Sequence, residues 1–408
     1  MSYLVRIFLI LIVYFTIDFL IFLLYRRIDY VQSHGFIKWA YWTSSIIIIM
    51  GIIMFSLARY MAWHPSIVWG QTMFALMIIF FVPKLVFLPF ALIDAMVAYL
   101  AGFAGDNSGV KLLARRQFLA KTGLALAGVM MARTVYGIVV ERLQIKLEKI
   151  RMNTGISGWQ SDPVKVVHIS DLHLGSFMSK EEGVDYLTKV NELIQDQEPD
   201  LILFTGDIVN DMTDETRGYE QVWSTYKAKY GSFAILGNHD YGDYVHWDNP
   251  QDKVDNLIEL EEFYKSAGFK LLRNANETIN INGHKLSLVG VENWGQPPFP
   301  QYGDLKKAMT NLPESDYTIL MSHDPTHWSA EVTKSTNIPL TLSGHTHGFQ
   351  FAIKFGNMKW SPVQYKYKHW GGLYTESQQH LNVNIGFGYI GFPGRVGTRP
   401  TVSLIELS

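Results

Sequence analysis

Aspartate, histidine and asparagine recur in five short blocks: Asp171-Leu-His173, Gly206-Asp207, Gly237-Asn238-His239-Asp240, His323-Asp324 and Gly344-His345-Thr346-His347. Carboxylate, imidazole and amide oxygen are ligands for divalent cations and suit Mn, Fe or Zn better than Cu(I). The chain has no cysteine, which excludes disulfides, thiolate ligands and a thiol nucleophile. Singly, such blocks are common. Here each one directly follows a short apolar run: VVHIS, LILFT, FAIL, ILMS and PLTLS.

Those runs identify the elements that must position the blocks. Val164 to Ile169, Leu201 to Phe204, Phe233 to Leu236, Tyr317 to Met321 and Ile338 to Leu342 are rich in Val, Ile and Leu and alternate with polar segments of helical period. Buried strands with helical crossovers follow from that pattern. Ser179, with Glu182 three residues on, caps a helix running toward Gln197. In open α/β sheets ligands gather beyond the C-terminal strand ends, so five distant segments should converge on one point. No internal repeat or low-complexity tract interrupts residues 151–408, long enough for one substantial core.

Residues 1–150 have a different solvent. Residues 4–25 form an apolar run about as long as the ~20 residues a helix needs to cross a bilayer. A second covers Trp39 to Leu57, and a third runs from Ile67 to Phe103 through Pro83, Lys84 and Pro89, as one kinked helix or two passes. Asp18 and Asp94 lie inside these runs and should face other helices or be protonated. Residues 114–121, with Arg115-Arg116-Gln117-Phe118-Leu119, precede an apolar stretch to Val140. This is either a twin-arginine export signal or the basic flank of a fourth spanning helix, and both place the arginines in the cytoplasm. About four helices, Arg26-Arg27 and Lys111 inside, and an extracytoplasmic C-terminal half give the expected topology of a multi-pass protein of the cell membrane.

In order and spacing the five blocks resemble the calcineurin-like metallophosphoesterase superfamily (D-x-H, G-D, G-N-H-D, H and G-H-x-H), particularly its bacterial membrane-associated or exported branch. The resemblance covers nearly all of residues 164–407. It implies an α/β fold, a β-sandwich of two mixed sheets flanked by helices, behind an N-terminal transmembrane region. It further implies two divalent metal ions: one on Asp171, His173 and His347, one on Asn238, His323 and His345, with Asp207 bridging. Two such ions about 3.5 to 4 Å apart activate water and polarise phosphoryl oxygens, so no protein nucleophile is needed. By the same resemblance His239 faces the leaving group as general acid, and Asp240 orients it. Asn210 and Asp211 stand where protein-phosphatase relatives carry an arginine, which weighs against a phosphoprotein phosphatase.

Other features are read from the residues alone. The glycine-dense stretch from Gly386 to Arg399 offers Arg395 as a substrate contact, or else a turn-rich loop before a last strand, Val402 to Glu406. Phe349 to Tyr374 combines aromatics with Lys354, Lys359, Lys366 and Lys368, a composition for a membrane interface or a flap over the metals. His168, His246, His284, His327, His369 and His380 match no ligand position. With 35 basic against 37 acidic residues, nucleic acid is not an expected partner. The expected partners are membrane lipids and a phosphate ester, lipid-linked or envelope-derived, with a phosphodiester slightly favoured. The competing reading is a membrane sensor or binding module with a phosphoesterase fold and little turnover.

Overall fold

The structure is a computed structural model and describes residues 3–408 apart from residues 27, 61–66, 104–108, 298 and 357. Two compact units emerge: Met1–Val139 with Gly391–Gly394, and Val140–Ile390 with Arg395–Ser408.

In the first unit the apolar runs form four long helices: α1 (Tyr3–Tyr25), α2 (Gly35–Tyr60), α3 (Ile67–Phe103) and α4 (Gly109–Val139). Three described stretches, Lys38–Ala58, Val68–Gly102 and Ala114–Leu143, are long and apolar enough to cross a membrane, and Ile7–Leu23 is a shorter apolar helix. The third run is one helix of 37 residues that continues through Pro83 and Pro89. Both buried acids meet cations on neighbouring helices. Lys84 Nζ donates to Asp18 Oδ1 at 2.8 Å and to Ser45 Oγ at 2.6 Å, while the Tyr41 hydroxyl donates to the same carboxylate at 2.8 Å. Arg116, second of the arginine pair, donates from Nε and Nη2 to both oxygens of Asp94 at 2.8 and 3.0 Å. A charge withdrawn from water is tolerated only when paired in this way.

The second unit is a sandwich of two six-stranded mixed sheets. One contains β1 (Lys146–Met152), β2 (Val164–Ile169), β3 (Leu201–Phe204), β4 (Ser232–Ala234), β5 (Phe269–Leu271) and β14 (Thr401–Leu407), in the order β1-β14-β2-β3-β4-β5. The other contains β6 (Ala275–Ile281), β7 (His284–Gly290), β8 (Tyr317–Met321), β9 (Leu340–Ser343), β12 (Gly372–Glu376) and β13 (Gln379–Val383), in the order β12-β13-β9-β8-β7-β6. A hairpin of β10 (Ile353–Phe355) and β11 (Met358–Trp360) stands apart from both sheets. Strands β2 to β5 run parallel, as do β7, β8, β9 and β13, with β14, β6 and β12 antiparallel to a neighbour.

Period-2 alternation explains why the central strands looked like continuous apolar runs. Val164, Val166, Leu201 and Leu203 pack between the sheets against Leu286, Leu288, Ile319, Met321, Leu340 and Leu342. Their neighbours Val167, Ile169, Ile202 and Phe204 point the other way, onto Leu187, Val190 and Ile194 of α5 (Lys180–Gln195) and Leu260 and Tyr264 of α6 (Pro250–Ser266). With both faces covered, no polar position remains to mark the period. Helix α5 starts where expected, with the Ser179 hydroxyl accepting the Glu182 N–H at 3.1 Å. One boundary differs from the sequence expectation. The unit begins at Val140, and the expected division at 150/151 falls inside β1, which pairs along its length with β14. The run KLEKIRM mixes charged residues with a half-buried face, so it reads as polar flank although it is a sheet-edge strand.

Candidate metal centre

The five blocks meet beyond the ends of five strands. Asp171 and His173 follow β2, Asp207 follows β3 and Asn238 follows β4, all in the first sheet; His323 follows β8, and His345 and His347 follow β9, in the second. Two donor groups result, Asp171/His173/His347 and Asp207/His323/His345, with the ligand atoms of each within 4.8 Å of one another. In the first, His347 Nε2 lies 3.0 Å from His173 Nε2 and 3.2 Å from Asp171 Oδ1. In the second, His345 Nδ1 lies 2.8 Å from Asn238 Oδ1 and 3.3 Å from His323 Nε2, which is 3.1 Å from Asp207 Oδ2.

The donor chemistry fits divalent cations. His173 Nδ1 sits 3.1 Å from the Val209 carbonyl and His323 Nδ1 2.7 Å from that of Thr205. A carbonyl can only accept, so each Nδ1 carries a proton and Nε2 is the atom aimed into the site. His345 is turned the other way, its Nε2 on the Tyr367 hydroxyl at 2.8 Å and its Nδ1 facing the donors. Convergent lone pairs and carboxylates in a buried site repel one another, and a cation satisfies them. Protonation follows the same pattern. Burial pushes Asp171 and Asp207 up, but His347 and His323 respectively outweigh it and hold both below the usual carboxylate range. Burial carries His345 down to about 4, and burial with the His347 neighbour holds His173 well below its ordinary value. At His323 burial is overcome by Asp207, which takes that imidazole up to about 10, so a cation binding there would displace the Nε2 proton.

The backbone is bent to make this possible. Asp171, His173, Asp207, His345 and His347 all have φ between 50° and 71°, a left-handed region that costs non-glycine residues of order 1–3 kcal/mol each. Close approach is secured by glycine at two points. A Cβ on Gly344 would lie 2.1 Å from Asp171 Oδ2, where the His345 N–H donates to both carboxylate oxygens at 2.9 and 3.0 Å. A Cβ on Gly388 would lie 1.7 Å from the Leu172 carbonyl oxygen. The C-terminal glycine-rich stretch is therefore a wall against the Asp171 loop, bonded to it by Phe387 N–H on Ser170 O and Gly388 N–H on Asp171 O.

Residues 164–349 match the family described as "Calcineurin-like phosphoesterase", and residues 4–142 match "Probable Calcineurin-like phosphoesterase, transmembrane domain". An uncharacterized metallophosphoesterase of Aquifex aeolicus is 31% identical over 215 residues, 52% of this chain and 71% of that protein. The chain belongs to the calcineurin-like metallophosphoesterase family. The uncharacterized metallophosphoesterase YkuE of Bacillus subtilis is 28% identical, covering 73% of this chain and 99% of its own. The phosphodiesterase YaeI of Escherichia coli is 27% identical, covering 72% and 100%. Membership implies a phosphoric ester hydrolase, here behind an N-terminal transmembrane region.

Within this metallophosphoesterase two residues take places other than those expected. Asp240 does not orient His239: its carboxylate accepts the backbone N–H groups of Gly237, Asp207 and Ile208 at 2.8–2.9 Å and of Val209 at 3.5 Å, tying the Asp207 loop to the Asn238 loop. Burial and then the Asp207 charge push it up to about 7, against those N–H groups. His239 is oriented instead by the Asn210 carbonyl, 2.5 Å from its Nδ1. Arg395 is fully buried and is not placed as a substrate contact. Its guanidinium donates to the carbonyls of Gly388, Ile385 and Thr398 and approaches His347 Nδ1 at 3.5 Å, bracing the glycine-rich wall. Of the other histidines, His168 is a core residue between Thr205 Oγ1 and Asn382 Nδ2, each at 2.9 Å.

Several residues at the centre had no signal in the sequence. Tyr244 accepts the Asn238 amide N–H at 2.8 Å, which turns Asn238 Oδ1 toward His345. Phe299 sets its ring 4.9 Å from His345. Glu215 takes the N–H groups of Gly175, Asn210, Asp211 and Met212 on its two oxygens, which fixes the carbonyl that orients His239. Tyr367 could have been suspected from the aromatic density of its segment.

Proposed function

We propose that the protein is a membrane-anchored phosphodiesterase working with two divalent cations, Mn, Fe or Zn. One observation carries this reading: Asp207 Oδ2 lies 3.1 Å from His323 Nε2 and 3.8 Å from His173 Nε2, so a single carboxylate reaches both donor groups. Bound there, two divalent cations supply a nucleophilic water at neutral pH and neutralise charge on the phosphoryl oxygens. Asp171, His173 and His347 form one donor set, Asn238, His323 and His345 the other, and Asp207 joins them. With Nδ1–H committed to Asn210, a protonated His239 carries its transferable proton on Nε2, from which it is given to the leaving alkoxide. Asp240 and Arg395 position the loops.

The diester preference is supported by Asn210 and Asp211 standing where an arginine marks phosphoprotein phosphatases, and by the name of the Escherichia coli relative. The membrane anchor supports a lipid-linked or envelope phosphate, and the basic cluster in the first turns of α4 supports a domain outside the cytoplasm. Full-length protein in detergent should hydrolyse bis(4-nitrophenyl) phosphate faster than 4-nitrophenyl phosphate, lose that activity on chelation and regain it with Mn. Full activity after verified metal removal overturns the metal mechanism. A faster monoester overturns the diester preference, and no turnover with metal bound favours the sensor. Protease added to intact spheroplasts should degrade the domain, and protection until lysis would place it in the cytoplasm.

A further inference from the structure

We propose that the segment from Phe349 to Lys368 is a docking surface for an anionic lipid bilayer, which seats the candidate metal centre at the level of the phosphate headgroups.

The segment organises itself around a small core of its own, Ala352, Val363, Tyr367 and Trp370. Hairpin pairing of β10 with β11 and a hydrogen bond from Ser361 Oγ to the Gly348 carbonyl at 3.0 Å close it into one body. Having built that core, it leaves other large apolar groups outside: Tyr365 is 79% exposed, Phe349 and Met358 62% each and Ile353 43%. Isolated apolar groups on a surface are ordinary, but a cluster on one short segment marks a contact surface. Phe349 is the sharpest case. It has φ of 57° in a run of four left-handed residues from His347 to Gln350. Bulky side chains avoid this region, yet here it holds a phenyl ring in the open.

Charge selects the partner. Residues 349–375 contain four lysines and no aspartate or glutamate, and Lys366 and Lys368 are exposed. Outward aromatic and aliphatic groups among lysines are the composition of an interfacial segment, whose apolar parts enter the acyl boundary while the ammonium groups meet anionic headgroups. An acidic protein surface would answer the lysines but not the apolar side chains, and the long apolar helices already bring this chain to a bilayer. The other side of the segment touches the donors: the Tyr367 hydroxyl lies 2.8 Å from His345 Nε2, and Lys366 Nζ stands over the Phe299 ring beside His345. A phosphate presented at the bilayer surface is thereby favoured as substrate. That consequence rests on the phosphodiesterase reading, whereas the docking does not.

The chain has no cysteine, so single Phe349→Cys, Ile353→Cys, Met358→Cys and Tyr365→Cys variants of the full-length protein can each take an environment-sensitive fluorophore. Val254→Cys, at an exposed position on α6, is the control. In nanodiscs containing phosphatidylglycerol, the four labels should shift to the blue and be quenched by doxyl-labelled lipid, while the label at position 254 is unaffected. Lys366→Glu/Lys368→Glu and replacement of phosphatidylglycerol by phosphatidylcholine should each reduce the quenching, and Asp207→Asn should leave it intact whatever happens to hydrolysis. Labels as wet as the control in both discs overturn the proposal. So does a blue shift without lipid quenching, which would mean that protein, such as a second copy, covers the patch. Equal quenching in neutral discs overturns the anionic preference.

Discussion

Buried charge is handled in opposite ways in the two units. Among the described residues of the helical unit each buried acid meets a cationic side chain, Asp18 with Lys84 and Asp94 with Arg116, which closes the charge pair even though Asp18 Oδ2 is left without a hydrogen bond. In the sandwich, the side-chain partners of Asp171 and Asp207 are imidazoles, beside backbone N–H groups of His345 and His239, and the nitrogens of His173 and His347 face each other at 3.0 Å. A closed pair adds specificity to helix packing and has its charge already answered. An open set of donors has its strongest interactions still to make. Position in a buried site is therefore a weaker guide to function than what the charge is paired with.

That contrast can be broken by removing one charge from each unit. Asp207→Asn should have the largest effect, a loss of turnover of roughly 10³-fold or more, because one carboxylate serves both donor groups. Metal content per chain should fall with it, and a variant retaining two ions by elemental analysis would contradict the bridging role. His239→Ala should keep the metal and lower kcat by roughly 10²-fold to 10⁴-fold. The defect should shrink for leaving groups of low pKa, and an equal loss for good and poor ones would argue against proton donation. Lys84→Met should leave metal content alone but strand the Asp18 carboxylate, at a cost of about 3–5 kcal/mol seen as a lower Tm in detergent. Asp18→Asn/Lys84→Met should recover much of it, and if it does not, the pair is not the closed unit described here.

A last effect, silent at neutral pH, concerns a histidine that is neither closed pair nor open donor. Burial holds His168 down to about 3, with Asp171 opposing. Its folded value thus lies below the unfolded one, so its contribution is complete above about pH 6.5 and is lost as pH falls toward 3, at ~1.4 kcal/mol per unit. Denaturant unfolding of His168→Gln should show a flatter decline across that window than the parent protein, and parallel curves would refute this.

Much of the sandwich was legible because its central strands are short, apolar and followed directly by donors. Val164–Ile169, Leu201–Phe204 and Tyr317–Met321 are strands with those limits. The donors were legible because five blocks of metal-competent residues each directly follow an apolar strand, while their division into two sets came from the family resemblance. The partition into two sheets was not, since a run buried on both faces does not say which neighbour it pairs with, and family resemblance supplied it. Edge strand β1 was lost among its charges. Asp240 and Arg395 were misplaced for a common reason. A charged side chain beside a site looks chemical in a sequence, whereas here both spend their hydrogen bonds on backbone groups that no motif encodes. Tyr244 and Tyr367 reach the donors from loops whose path only the folded chain determines.

Each donor set draws on both sheets: Asp171 and His173 from one with His347 from the other, Asp207 and Asn238 from one with His323 and His345 from the other. His173 and His347 are 174 residues apart in the chain, so an unfolded polypeptide holds nothing resembling either set. Cations would therefore bind after the two sheets have come together, unlike the case of small domains that condense around a metal. A cation held by either set would clasp the mouth of the sandwich, and the resistance of the two sheets to parting would then rise with the free metal concentration around them.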